Sequence, residues 1–318
     1  MSAVATRVRP AVKVAGLRKA FGDQVVLDGI DLEIPEATVL ALLGSNGAGK
    51  TTTVRILSTL LPADGGEVEI AGFDLRREPN LVRGAIGVTG QFSAVDSLLT
   101  GEENLLLVAD LGRLDRRAGR RRAAELLERF ELSDAARKTV ATYSGGMRRR
   151  LDLAMTLVAQ PQLVFLDEPT VGLDPRSRRT MWEIVRELVA DGVTILLTTQ
   201  YLDEADELAD RVALLDRGRV VADGTPEELK RRIPGGHARL WFRDAAGRDA
   251  AARIVGGAAR DDDALALRIP TDDTPEALRD LLARLDGLGI ERMTLHTPDL
   301  DDVFFAVTGG HGDGRETA

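Results

Sequence analysis

The stretch "VLALLGSNGAGKTT" (39–52) constrains this chain more than any other. "VLALL" is continuous and apolar, as strands buried on both faces of a parallel sheet are. "GSNGAGKT" (44–51) matches the pattern Gly-x4-Gly-Lys-Ser/Thr, and a helical pattern starts at its end. Gly44, Gly47 and Gly49 let the loop formed with Ser45, Asn46 and Ala48 curl until successive N–H groups converge on phosphate oxygens. The helix behind the loop, with Thr52 in its first turn, adds its dipole. Lys50 is placed to reach the β and γ phosphates, and Thr51 to offer a hydroxyl to Mg²⁺. Such a strand, loop and helix define a nucleoside-triphosphate site. They do not say what the site drives.

The surrounding pattern alternates. "IDLEI" (30–34) and "EVEI" (67–70) read as half-buried strands, whereas "LVFL" (163–166) and "VTILLTT" (193–199) read as fully buried ones. Helical patterns at 51–60, 102–111, 120–130, 145–159 and 176–190 separate them, which predicts an α/β domain. The middle, about 92–160, is expected to form a helical lobe. "RRIPGG" (231–236) reads as a linker. Beyond it, strands at 238–243, 264–269 and 290–296 alternate with helices at 248–255, 275–285 and 300–307, a small α+β unit of ferredoxin-like kind. The expected organisation is an N-terminal tail (1–10), a nucleotide-binding domain (11–233), an accessory domain (237–308) and a disordered tail (309–318). No internal repeat is visible, so the chain carries one nucleotide-binding unit.

Bulk properties remove several classes. A net charge of −9 argues against a general nucleic-acid role, which requires a basic footprint. The local clusters Arg120–Arg122 and Arg148–Arg150 read as solvated helix faces. With no cysteine, neither a disulfide framework nor a thiolate zinc site is possible, which fits a reducing cytosol. No signal-peptide core opens the chain, and no run approaches the roughly 18 apolar residues of a membrane span. Action at a membrane is therefore expected to pass through a partner.

Three further stretches carry chemistry. "LVFLDEP" (163–169) delivers adjacent carboxylates at a strand end. Neighbouring carboxylates repel unless a cation or proton intervenes. Asp167 suits a ligand to Mg²⁺-bound water, and Glu168 a general base that polarises an attacking water. In "YSGGMRRRLDLAM" (143–155), Ser144 suits an N-cap, and Met147, Leu151, Ala154 and Val158 share one helix face. Ser144 with the N–H groups of Gly145 and Gly146 then forms a second phosphate-facing helix terminus. "LLTTQYLDEADEL" (196–208) ends a buried strand on Thr198, Thr199 and Gln200 before an acidic helix.

The order of these pieces resembles the ABC-type ATPases over about residues 11–230. "GSNGAGKTT" is similar to the Walker A loop, "YSGGM" to the signature motif, "LVFLDEP" to the Walker B strand and "GLD" (172–174), with Asp174, to the D-loop. "VTGQ" (88–91) puts Gln91 at the Q-loop glutamine, and "AFG" (20–22) puts Phe21 at the aromatic that stacks on adenine. "GVTGQFSAVDSLLTGEENL" (87–105), "TTQYLDEAD" and "LDDVFFAVTG" (300–309) read most like ATPase subunits of daunorubicin/doxorubicin-resistance exporters.

The resemblance implies a P-loop domain with a mixed core sheet, an antiparallel β subdomain and a helical lobe. It implies ATP and Mg²⁺ as cofactors, with Gln91 sensing both the metal and the γ-phosphate. ATP would be sandwiched between the phosphate loop of one copy and Ser144–Gly146 of another, so a complete site implies a homodimer. The lobe would grip a helix of an integral membrane permease, with 92–104 lining that groove, on the cytoplasmic face of the membrane. Gln200 stands where most of the family has a γ-phosphate-contacting His. The C-terminal "PDLDDVFFAVTGG" reads two ways: as a docking or dimer element, or as an amphipathic helix whose Val303 and Val307 close the accessory domain's core. The substrate implied is drug-like; lipid or glycan export is the runner-up, and a soluble ABC-type ATPase the alternative. A GTPase would show an Asn-Lys-x-Asp base reader, which is missing, and a kinase has no use for "YSGGM".

Overall fold

Two burial patterns sort the first part of the chain into two sheets. The computed structural model describes residues 10–90, 94–233, 236–261, 265–271, 274–296 and 298–308. The chain divides after Pro226 into two compact units.

In the first unit, β1 (Pro10–Phe21) and β2 (Gln24–Pro35) form a hairpin, and β3 (Val39–Leu43) runs into α1 (Lys50–Leu57). Then come β4 (Gly65–Ile70), β5 (Phe73–Asp74), α2 (Pro79–Ala85) and β6 (Ile86–Thr89). Three helices follow: α3 (Gly101–Leu111), α4 (Arg116–Arg129) and α5 (Gly145–Thr156). The unit continues through β7 (Leu163–Asp167), α6 (Pro175–Ala190), β8 (Thr194–Thr199), α7 (Leu202–Leu208), β9 (Arg211–Asp216) and β10 (Arg219–Gly224). Helix α8 (Pro226–Arg231) spans the division between units.

The core sheet has the order β10-β9-β3-β8-β7-β6, parallel except for β10. Every residue of β3, β7 and β8 is buried, as their uninterrupted apolar runs require. The second sheet, β2-β1-β4-β5, is antiparallel. β1 is not legible as an alternating strand because its register breaks between Val14 and Leu17, where Gly16 has φ 59°. β6, β9, β10 and α2 also escape the sequence pattern.

The lobe packs α3, α4 and α5 around Leu105, Ala109, Leu126, Phe130, Leu151 and Ala154. Thr100 and Glu103 form a capping box on α3, Asp115 caps α4 and Ser144 caps α5. The loop before α3 is held from inside. Fully buried Asn104 donates to Asp96 O (3.0 Å) and Thr100 O (2.9 Å) and accepts from Asp96 N (2.8 Å). Leu98, on that pinned loop, is 85% exposed.

The second unit contains β11 (His237–Phe242), α9 (Ala245–Val255), β12 (Ala259–Asp261), β13 (Ala266–Pro270), α10 (Pro275–Arg284), β14 (Ile290–His296) and α11 (Leu300–Thr308). Its antiparallel sheet, ordered β12-β13-β11-β14, with the β-α-β-β-α-β sequence of elements, is ferredoxin-like. The short β12 is the element the sequence pattern misses. Ala238, Leu240, Phe242, Leu267 and Ile269 form its core with Ala251, Leu281 and Leu285. On α11, Val303 is buried beside Leu300, but Val307 is 37% exposed. The expectation that Val307 helps close a core is therefore corrected: burial ends after the first turn of the helix.

Replacing Asn104 by Ala removes the three side-chain hydrogen bonds that hold the loop before α3, at a cost of about 1–3 kcal/mol. The expected result is a lower melting temperature for Asn104→Ala than for the parent chain in thermal unfolding.

Candidate nucleotide-binding site

The register of the core sheet assembles the site. Leu43 of β3 pairs with Thr199 of β8, and Thr198 pairs with Asp167 of β7. The loop leaving β3, the polar end of β8 and the carboxylates of β7 therefore emerge side by side at the carboxyl edge, where ligands of open α/β sheets bind.

Two positions in the loop admit only glycine. A Cβ at Gly44 would lie 2.3 Å from Leu215 O of β9. Gly49 has φ 112°, and a Cβ there would meet Leu27 Cδ2 at 2.6 Å. The loop is tied down where Ala48 O accepts from Gly218 N (3.1 Å) and Ser45 O accepts from Ala48 N (3.2 Å). Ser45, Asn46 and Gly47 are exposed, Ala48 and Gly49 are buried, and Thr51 is open to solvent with Thr52 half-buried beside it. The buried Lys50 ammonium donates to Gly44 O (2.7 Å) and Ser45 O (3.1 Å). Burial lowers its pKa, and the nearby Glu168 and Asp167 carboxylates oppose that shift.

The adjacent carboxylates sit in different surroundings. Asp167 is buried; its Oδ1 accepts from Thr198 Oγ1 and lies 3.5 Å from Thr51 Oγ1. Glu168 is half-buried and adopts φ 50°, a left-handed conformation that costs a non-glycine residue about 1–2 kcal/mol. Such strain persists only where neighbours over-determine the backbone. Here Glu168 N donates to Thr198 O (3.0 Å) and to Thr198 Oγ1 (3.2 Å), while Glu168 O accepts from Arg149 Nη2 (3.2 Å). Arg149 therefore lies inside the protein and is no part of a solvated face, which corrects the reading of the 148–150 cluster. Arg148 and Arg150 likewise bond the carbonyls of Val140 and Ala141, and of Phe130. Asp152, itself buried, is the acid paired with Arg149 three residues away, at 3.4 Å.

The other residues singled out by sequence sit around this centre or apart from it. Gln200 is exposed just after β8, and its amide makes no hydrogen bond among the described residues. Next to it, the Tyr201 ring is covered by the Arg178 guanidinium at 4.8 Å. Phe21, at the end of β1, is 49% exposed with Lys19 Nζ 5.4 Å from its ring centre. Asp174 caps α6, accepting from Arg176 N and Ser177 N (3.0 Å each) and from Ser177 Oγ (2.6 Å). The Ser177 hydroxyl and amide hold its pKa below the usual value. Ser144 Oγ accepts from Met147 N at 3.2 Å; Gly145 is exposed, and Gly146 is pressed against Ser177 of α6. This second helix terminus is thus built on the lobe and α6, separately from the phosphate loop. Gln91 lies outside the described residues, as do Phe92, residues 1–9 and the 309–318 tail.

Sequence reasoning missed Glu204. It is fully buried on α7 and accepts from Trp182 Nε1 of α6 (3.2 Å), while its Oε2 has no partner among the described residues. Burial raises its pKa, and the hydrogen bond from Trp182 acts the other way.

A glycine loop behind a central parallel strand, beside a carboxylate-ending strand and a polar strand end, defines a P-loop nucleotide hydrolase. Residues 27–171 match the family model described as ABC transporter. The chain is 49% identical over 312 residues to the daunorubicin resistance ATP-binding protein DrrA3 of Streptomyces coeruleorubidus, covering 97% of this chain and 99% of that one. It is 47% identical over 319 residues to the daunorubicin/doxorubicin resistance ATP-binding protein DrrA of Streptomyces peucetius, covering 98% and 96%. A solved ATP-binding subunit of an ABC transporter superposes with a TM-score of 0.63 at 31% identity, over 70% of this chain and 92% of that one. The chain belongs to the ABC transporter family, as an ATP-binding protein with ATPase activity. Among the described residues, no helix is long and apolar enough to cross a membrane.

The buried Glu204 generates a pH prediction. Its folded pKa is raised above the ordinary 4.5, so the folded state holds a proton that the unfolded chain releases. Stability from this group is complete below that value and is lost as pH rises towards the folded pKa. Glu204→Gln cannot ionise. Its melting temperature relative to the parent is expected to be higher at about pH 8 than at about pH 5; an unchanged difference would refute the assignment.

Proposed function

We propose that the chain is the motor subunit of an exporter for a drug- or antibiotic-like molecule, acting on the cytoplasmic face of the membrane through a separate integral membrane permease. The observation that carries this reading is identity near one half along almost the whole chain, second unit included, to proteins named for daunorubicin resistance. The organisation proposed is an ATPase domain over 11–233 and an accessory domain over 237–308.

On this reading the loop Gly44–Thr51 cradles the ATP phosphates with its N–H groups and Lys50 contacts the β and γ oxygens. The ring of Phe21 receives adenine. Thr51 and Asp167 fit Mg²⁺, since a hydroxyl and a carboxylate are hard oxygen donors and Mg²⁺ takes few protein ligands beside phosphates; Gln91 joins them. When bound, Mg²⁺ would supply positive charge to offset that of the transferring phosphoryl group. Thr198 holds Asp167 in place through its hydroxyl. Glu168 polarises the attacking water, and Gln200 holds the γ-phosphate with its amide. Ser144, Gly145 and Gly146 complete the site of a second copy, and Asp174 lies near the same junction. Two copies thus enclose two ATP molecules; ATP favours the closed dimer and hydrolysis releases it.

The membrane partner is assigned to the loop before α3. A rigid loop that exposes Leu98 almost entirely suits an apolar partner surface.

Lys50→Ala and Glu168→Gln are each expected to abolish steady-state ATP hydrolysis. Glu168→Gln should still bind ATP and sediment as a dimer with ATP and Mg²⁺. Gln200→Ala should lower turnover strongly, whereas Gln200→His retains much of it. Normal turnover in Glu168→Gln would remove the base assignment, and a strict monomer the composite site.

Leu98→Asp should leave ATP hydrolysis by the isolated chain unchanged. It should abolish co-purification with a permease encoded beside this chain and the drug resistance that the pair confers on a sensitive host. If the parent pair confers no resistance to any drug, lipid or glycan export or a soluble ATPase role takes its place.

A further inference from the structure

Arg149 makes a contact set that its place in a run of three arginines does not suggest. Its side chain is 13% exposed, and all five of its N–H donors have acceptors. Nε donates to Pro169 O (2.9 Å). Nη1 donates to Gly90 O (2.9 Å) and to Asp152 Oδ2 (3.4 Å). Nη2 donates to Asp167 O (3.1 Å) and to Glu168 O (3.2 Å). Three of these acceptors are successive carbonyls of the segment that turns out of β7 through the left-handed Glu168. The fourth carbonyl belongs to the residue immediately before Gln91. Asp152 extends the contact, because its Oδ1 accepts from Ala94 N at 3.1 Å, on the far side of Gln91.

We propose that Arg149 is a positioning residue for hydrolysis: it fastens the backbone that carries Glu168, and the main chain on both sides of Gln91, to the helix that begins at Ser144. The proposal rests on the reading of Glu168 as base and Ser144–Gly146 as the terminus offered to the other copy's ATP. Arg149 lies five residues from Ser144, about 7.5 Å along the axis of α5. A helix displaced as a rigid body carries the guanidinium with it, and five charge-assisted bonds carry the carbonyls with the guanidinium. The base of one site is thereby linked to the helix terminus that serves the other.

The geometry requires Arg. Lysine has three donors on a flexible stem and glutamine has two, so neither reaches five acceptors in a planar fork. Burial pulls the Arg149 pKa below its usual value, and the Asp152 carboxylate, ahead of Asp167 and Glu204, opposes that shift. Asp152 is the ionic partner that makes a buried guanidinium tolerable.

The test uses the purified full chain with Arg149→Lys, Arg149→Gln and Asp152→Asn. The expected result for Arg149→Lys and Arg149→Gln is a kcat lower by on the order of 10²-fold, with KM for ATP changed less than about twofold, because a displaced base costs rate while the phosphate loop is untouched. Asp152→Asn keeps the acceptor for Ala94 N and should lose rate in the same direction, which maintains the test if both Arg149 variants fail to fold. A role confined to packing predicts a loss that follows the folded fraction and is rescued by Arg149→Lys; either result overturns the proposal. The double variant Arg149→Lys/Glu168→Gln separates this from the parent reading. Its residual single-turnover rate should equal that of Glu168→Gln alone within about twofold, since the base is already gone. A further full loss would mean that Arg149 acts by another route. Wild-type rates in Arg149→Lys together with inactive Glu168→Gln would defeat this proposal and leave the base assignment standing. An active Glu168→Gln would defeat the base assignment itself.

Discussion

The nucleotide site depends on three strands of the core sheet ending in register. Because β3, β7 and β8 are buried on both faces, each is fixed along its length by packing, and their ends cannot slip independently. That register sets the phosphate loop, Thr198 and Asp167 beside one another at a single edge. The apolar runs and the polar residues that end them are one device: the first sets the height at which the second emerges. The Thr198 side chain shows this economy. Its hydroxyl accepts from the Glu168 amide and donates to the Asp167 carboxylate, so one buried residue orients both acids.

Glu168 is where the register gives way. Its left-handed backbone turns the chain out of the strand immediately after Asp167, which separates the surroundings of two successive carboxylates: one buried under a hydroxyl, one half-open. Paired acids in contrasting surroundings are what divided roles require. The strain is sustained from two directions, by Thr198 on the amide side and Arg149 on the carbonyl side. The second support comes from a helix of the lobe, so the geometry of the acid is not a property of the core sheet alone.

The buried strands, the phosphate loop, the carboxylate pair and the capped terminus at Ser144 were legible in the sequence, because each depends on a short local pattern. What was not legible depends on tertiary position. β1 lost its alternation to the break at Gly16, and β12 is too short to show a period. Val303 and Val307 share a helix face in sequence, yet only Val303 is covered. The arginines at 148–150 look alike as letters, and charge alone favours solvent for all three; the chain instead turns them onto backbone carbonyls, most fully at Arg149. Glu204 sits in an acidic helix where burial has no local mark.

Gln200 shows how far a departure from a family pattern can be read. The exposed amide follows β8 directly, one residue beyond the Thr199 that pairs with Leu43 below the phosphate loop, so its place is set by the same register as the acids. A His there would donate, accept and take up a proton; an amide does the first two only. On the proposed reading, acid–base work at this edge is then left to Glu168 and the phosphate, since Asp167 is engaged by Thr198 and Lys50 is turned onto its own loop. A site organised this way has less to lose from the missing imidazole than from a displaced carboxylate. Its weak point lies in whatever holds Glu168 in its left-handed turn, which is why the support from Arg149 carries more consequence here than the exchange at position 200.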